Sequence, residues 1–169
     1  GFPRESSGLL PNGAVWWGGG GARGPQVALY RPARIWSVGL LMKAFKPPER
    51  FALPMPPVVF LCRPGDAPSG WAVKRRPAGL DDSLYRLPCF NVFETGRTCQ
   101  GTARYSHDVR THVEEFFGTL FSPAAAEEVS SQHGRDIAAL WRSLDGRRRY
   151  PLDDLVRVAT LRKVTSERE

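Results

Sequence analysis

Four short runs rich in β-branched and aromatic residues follow one another between Gln26 and Pro77: "QVALYRP", "RIWSVGLL", "PPVVFLCRP" and "GWAVKRRP". Each is cut off by Pro or Gly, which leaves room for strands and not for long helices. The cluster "GDAPS" lies between the third and fourth runs and predicts a hairpin joining Cys62 to Val73. An antiparallel meander is the economical arrangement of such runs. "FKPPERFALPMPP" interrupts them, and its prolines bar it from a helix interior or a central strand.

Beyond residue 105 the pattern changes to a helical period. In "SHDVRTHVEEFFGTLFSP" the apolar residues Val109, Val113, Phe116, Phe117, Leu120 and Phe121 recur at three- and four-residue steps, which predicts one helix. Ser106 is placed to cap it, Asp108 suits its first turn, and the "SP" at 122–123 marks its stop. A second helix is expected over 136–144, with Ile137, Leu140, Trp141 and Leu144 on one face. A third is expected from Pro151, with Leu152, Leu155, Val156 and Ala159 turned inward. "AAAEEVSS" suggests a short helical turn between the first two. Strands first and helices afterwards predict an α+β fold.

At 169 residues the chain is long enough for one core, and residues 25–169 read as a single domain. Residues 1–24 read as a flexible or irregular segment because of the tract "GGGG" at 18–21, although "GAVWW" has the composition of a short strand. No Lys-Ser or Lys-Thr follows those glycines, which argues against a phosphate loop.

The net charge of +7 favours acidic partners of some kind. "KRR" at 74–76 and "RRR" at 147–149 lack the interleaved aromatics of a base-stacking surface, so they read as solvated faces and argue against nucleic acid. The start "GFPRESSGLLPNG" has no basic segment leading into an apolar run, and no apolar stretch approaches the length of a membrane span. Three cysteines, an odd number, point to a reducing compartment, and a soluble cytoplasmic protein is expected.

Those cysteines differ in setting. Cys62 lies within the apolar run "VVFLC", and Cys89 stands between Pro88 and Phe90, so burial is expected for both. Cys99 sits in "GRTCQGT", a polar loop bracketed by glycines, where a reactive group can reach a substrate. A thiol acts as a nucleophile or acyl carrier only as thiolate, and Arg97 and Arg104 supply positive charge close by in sequence. Asn91, eight residues earlier, carries an amide that can donate to a developing oxyanion, or equally satisfy backbone groups of a turn.

The stretch "FNVFETGRTC" resembles the active-site signature of ubiquitin-conjugating enzymes, in which His-Pro-Asn precedes an apolar residue, a turn with Gly, and the thioester-forming Cys. Asn91, Val92, Gly96 and Cys99 fall in those places without a gap. The chain is similar over residues 50–165 to a bacterial branch of that group, the PRTRC system protein B type. Its features occur here in order: "LPMPPVVFLC", "AVKRRP", "LY", "FNV" and "EEFFGTLFSP". Cys89 and Phe90 stand where the eukaryotic motif has His and Pro, and residues 1–24 lack the composition of the amino-terminal helix that meets activating enzymes.

The resemblance implies a ubiquitin-conjugating-enzyme-like fold, with the meander leading through an active-site loop to carboxy-terminal helices. It implies that Cys99 takes a ubiquitin-like protein as a thioester from an adenylating, activating-enzyme-like partner and passes it to a protein or small amine, with Asn91 stabilising the oxyanion. No metal or organic cofactor is required, because the acyl group arrives activated. Bacterial operons of that content resemble antiviral defence systems. Three other readings stand beside this one. They are a catalytically inactive conjugating fold that only binds, a zinc module built from Cys89, Cys99, His107 and His112, and a Cys-His hydrolase using Cys99 with His107 or His112.

Overall fold

The computed structural model describes residues 10–19, 24–101, 103–123 and 128–166. The "GAVWW" segment forms strand β1 (Ala14–Gly18). The four apolar runs form β2 (Gln26–Arg31), β3 (Arg34–Leu40), β5 (Val58–Cys62) and β6 (Ser69–Ala72), and β5 and β6 pair antiparallel across the expected hairpin. Between β3 and β5 the proline-laden segment yields a strand, β4 (Glu49–Met55). It pairs with β3 alone, at the edge of its sheet, so the missing N–H of Pro54 breaks no ladder between two neighbours.

The meander is split between two sheets. A six-stranded sheet runs β1-β2-β5-β6-β7-β9, where β7 is Ser83–Arg86 and β9 is Arg157–Thr160. The β3–β4 hairpin leaves it and forms a second sheet with β8 (Leu120–Phe121), which lies parallel to β3. Alternation along the central strands shows why. Val58, Phe60 and Cys62 of β5 enter one cluster, with β3, β4 and apolar residues of 113–117 and 137–144, whereas Val59 and Leu61 enter another with Trp71, Leu84, Leu161 and Val164. With both faces covered, "VVFLC" is apolar at every position.

The helical half departs from its periodicity in two places. The segment after Cys99 gives a 3-10 turn (Val109–Thr111) and a short helix α1 (His112–Phe117) that stops at Gly118. Leu120 and Phe121 then extend and pair with Gly39 and Leu40. Phe121 fits either period, and the open edge of β3 supplies ladder partners that a further helical turn would forgo. Asp108, not Ser106, caps the 3-10 turn, accepting from the Arg110 N–H; Ser106 Oγ accepts from the Asp108 N–H.

Helix α2 (Ile137–Leu144) is as expected, capped by Asp136 and burying Ile137, Leu140, Trp141 and Leu144. The helix expected from Pro151 does not form. A 3-10 turn (Leu152–Asp154) leads into β9, and helix α3 (Leu161–Ser166) follows. Val156, Val158 and Thr160 are β-branched, and pairing with β7 satisfies their backbone where a helix would crowd their side chains. Residues 124–127 of "AAAEEVSS" and residues 20–21 of the glycine tract lie outside the described residues, and residues 128–131 form no helix. Among the described residues no helix is long and apolar enough to cross a membrane.

Candidate active site

The stretch from Asn91 to Cys99 closes on itself as a tight hairpin. Cys99 N–H donates to the Asn91 carbonyl at 2.8 Å, Val92 bridges Thr98, and Phe93 N–H donates to the Arg97 carbonyl at 2.8 Å. The turn is completed by Gly96 N–H donating to the Phe93 carbonyl at 2.9 Å. A spacing of eight thus makes residues 91 and 99 neighbours across the hairpin. Two residues need backbone that most side chains resist. Asn91 has φ +64° and Gly96 has φ +87°. Asparagine tolerates that left-handed region better than most residues, and glycine occupies it without strain.

Three contacts fasten the hairpin to the six-stranded sheet. Gly70 N–H donates to the Gly96 carbonyl at 2.8 Å, and both the N–H and the hydroxyl of Thr98 donate to the Pro68 carbonyl, at 3.0 and 2.7 Å. A β-carbon at Gly96 would collide with the indole of Trp71, so the turn passes close against that ring. The approach to the hairpin is held from the other side by α2. Trp141 Nε1 donates to the Pro88 carbonyl at 2.9 Å, and its ring meets Phe90 edge-on at 5.0 Å between centroids. Where the eukaryotic motif has His and Pro, packing on a buried tryptophan supports the Asn loop.

The three thiols stand in different surroundings. Cys62 is fully buried, and burial pushes its pKa up to about 12. Cys89 is 3% exposed, its sulfur 3.9 Å from that of Met55, and burial raises its pKa further still. Cys99 is exposed. Arg97 and Arg104 are exposed on either side of it in sequence. Of the sequence-derived pair, then, Asn91 and Cys99 are brought together, and Cys99 alone of the cysteines meets solvent.

Asn91 has a side-chain partner that the sequence did not disclose. Ser122 Oγ donates to Asn91 Oδ1 at 3.4 Å. The "SP" after Phe121 read only as a helix stop, and only the pairing of β8 with β3 brings it beside residue 91.

The histidines take no part in this arrangement among the described bonds. His112 is wholly buried, its Nε2 2.6 Å from the Ser106 carbonyl and its ring 5.4 Å from that of Tyr105. The ring of His107 lies against Gly65. Among the described residues no three His, Cys, Asp or Glu side chains gather as a metal-holding group, so Cys89, Cys99, His107 and His112 do not form the zinc cluster weighed from sequence.

A mainly antiparallel sheet system with an exposed thiol at the end of a pinned loop and helices after it is an α+β fold of the ubiquitin-conjugating-enzyme-like class. The family model described as Prokaryotic E2 family D matches residues 7–158, and the chain belongs to that family. Among curated proteins and among solved structures, none matches this chain.

Proposed function

We propose that the protein is a conjugating enzyme that carries a ubiquitin-like protein as a thioester on Cys99. The observation that carries this reading is the Cys99–Asn91 backbone bond, which makes the residue bearing the exposed thiol a neighbour of Asn91 on a loop fixed to the sheet. In the loading step the Cys99 thiolate attacks the thioester carbonyl presented by an adenylating, activating-enzyme-like partner. A new C–S bond forms, and the partner's thiolate leaves. In the discharge step an amine nitrogen bonds to the same carbonyl carbon. The C–S bond breaks, Cys99 leaves as thiolate, and the amine's surplus proton passes to water.

Asn91 is suited to donate to the oxyanion that forms during discharge, where a single well-aimed donor is worth roughly 2.7–4 kcal/mol in enzymes of this logic. The excess of basic residues favours an acidic protein partner. A cytoplasmic pathway and a role in antiviral defence extend the same reading. Cys89 is the weaker candidate, because its buried thiol is held in the neutral form that neither attacks nor leaves well.

The test supplies ATP, the cognate activating enzyme and the cognate ubiquitin-like protein, and follows a covalent adduct that thiol reductant removes. Wild type and Cys89→Ala are expected to form it and Cys99→Ala to lose it. An adduct that survives Cys99→Ala, or none with wild type, overturns the reading. If Cys99→Ala instead preserves every function in cells, the fold serves for binding alone.

A further inference from the structure

Asn91 can stabilise an oxyanion only if its NH2 group, and not its carbonyl oxygen, faces the thioester. The two ends of an amide are nearly the same size, so shape alone does not choose between them. The backbone of Asn91 is fixed by the bond from Cys99 N–H and by its left-handed φ. That leaves the side-chain torsions to be settled, and Ser122 is the residue bonded to them. Its hydroxyl donates to Oδ1 at 3.4 Å, which occupies the oxygen end and leaves both Nδ2 hydrogens to serve as donors.

Ser122 is itself held in place. It follows Phe121, a fully buried residue of β8 whose carbonyl accepts from Leu41 N–H at 2.7 Å, and it precedes Pro123, whose ring restricts the backbone of residue 122. The chain leaving the second sheet therefore reaches Asn91 through this hydroxyl.

We infer that Ser122 is a positioning residue for Asn91, orienting its amide so that NH2 faces the oxyanion of the discharge step. The inference rests on the thioester reading above. Without the hydroxyl, the amide samples both orientations and the donor is in place for a smaller part of the time. Loading from the activating enzyme depends on the exposure of Cys99, so discharge should bear most of the loss.

The experiment measures two rates on the whole protein: loading from activating enzyme with a ubiquitin-like protein, and single-turnover discharge of the loaded protein to free lysine. Ser122→Ala is expected to slow discharge about fivefold, the size of one neutral hydrogen bond, while changing loading less than twofold. Ser122→Thr, which keeps a hydroxyl at the same atom position, is expected to restore discharge to within about twofold of wild type. In an Asn91→Ala background the Ser122→Ala change is expected to have no further effect, because its target is gone. Wild-type discharge by Ser122→Ala, or an equal slowing of loading and discharge, overturns the positioning role and leaves the thioester reading standing. Failure of wild type to load overturns both.

Discussion

Cys89 and Cys99 are ten residues apart in one stretch of chain, and the fold treats them in opposite ways. Around Cys89 the backbone is clamped inside the core: Pro88 is bonded to Trp141, Phe90 packs on the same indole, and the thiol lies against Met55. Around Cys99 the backbone is fixed as firmly, through Pro68, Gly70 and Trp71, but the thiol is left in solvent. In the proposed reading, reactivity comes from a rigid loop held by its backbone and by the Thr98 hydroxyl, with the Cys99 side chain left exposed. The buried half serves as the footing on which the exposed half stands.

The strongest way to break this contrast is to remove the footing. Trp141→Ala deletes a fully buried ring that meets Phe51, Phe90 and Phe121, and leaves the Pro88 carbonyl without its donor. It is expected to cost about 3–5 kcal/mol by urea denaturation. Alkylation of the native variant should then label Cys89 as well as Cys99, whereas wild type labels Cys99 alone.

Gly96→Ala attacks the exposed side instead. The new methyl meets the Trp71 indole in a left-handed conformation, for an expected loss of about 2 kcal/mol. Loading at Cys99 should fall while Cys89 stays protected. A variant as stable as wild type would show that the turn is not pressed on Trp71.

Alkaline titration sharpens the contrast for the buried thiols. Burial raises the Cys62 pKa from 9.0 to about 12, so the folded state holds a neutral thiol that the unfolded chain ionises. The stability this gives is fully present below pH 9 and is lost as pH rises from 9 toward 12. Between pH 8 and pH 10, Cys62→Val should lose about 1 kcal/mol less stability than wild type, read from urea midpoints. Parallel curves would contradict the burial. The smallest effect belongs to Phe93, an exposed ring on the hairpin turn, whose replacement by Ala should change stability by less than about 0.5 kcal/mol.

What was legible in the sequence follows from how local each signal is. The runs feeding β2, β3, β5 and β6, and the face of α2, are set by neighbours in the chain and were read directly. The spacing of Asn91 and Cys99 was legible through the family resemblance, whereas the hairpin that makes them neighbours came only from the structure. Elements decided by distant partners were not legible. β4 was hidden by prolines that an edge tolerates, and β9 looked helical because its pairing partner β7 lies more than seventy residues earlier. Leu120 and Phe121 were read as the end of a helix for the same reason, and with them the position of Ser122 was lost. Trp141 was recognised as a core residue, but its bond to Pro88 spans 53 residues and left no trace in local pattern.

The central claim is that the acyl group sits on Cys99, and the most direct measurement locates it. Trypsin cuts after Arg86, Arg97 and Arg104, so Cys89 and Cys99 emerge on separate peptides, Leu87–Arg97 and Thr98–Arg104. Cys99→Ser, loaded with ATP, activating enzyme and ubiquitin-like protein, should trap a reductant-resistant ester. Mass spectrometry is expected to find it as a carboxy-terminal remnant on the peptide carrying residue 99. A remnant on the peptide carrying Cys89, or no remnant on either, would contradict the account.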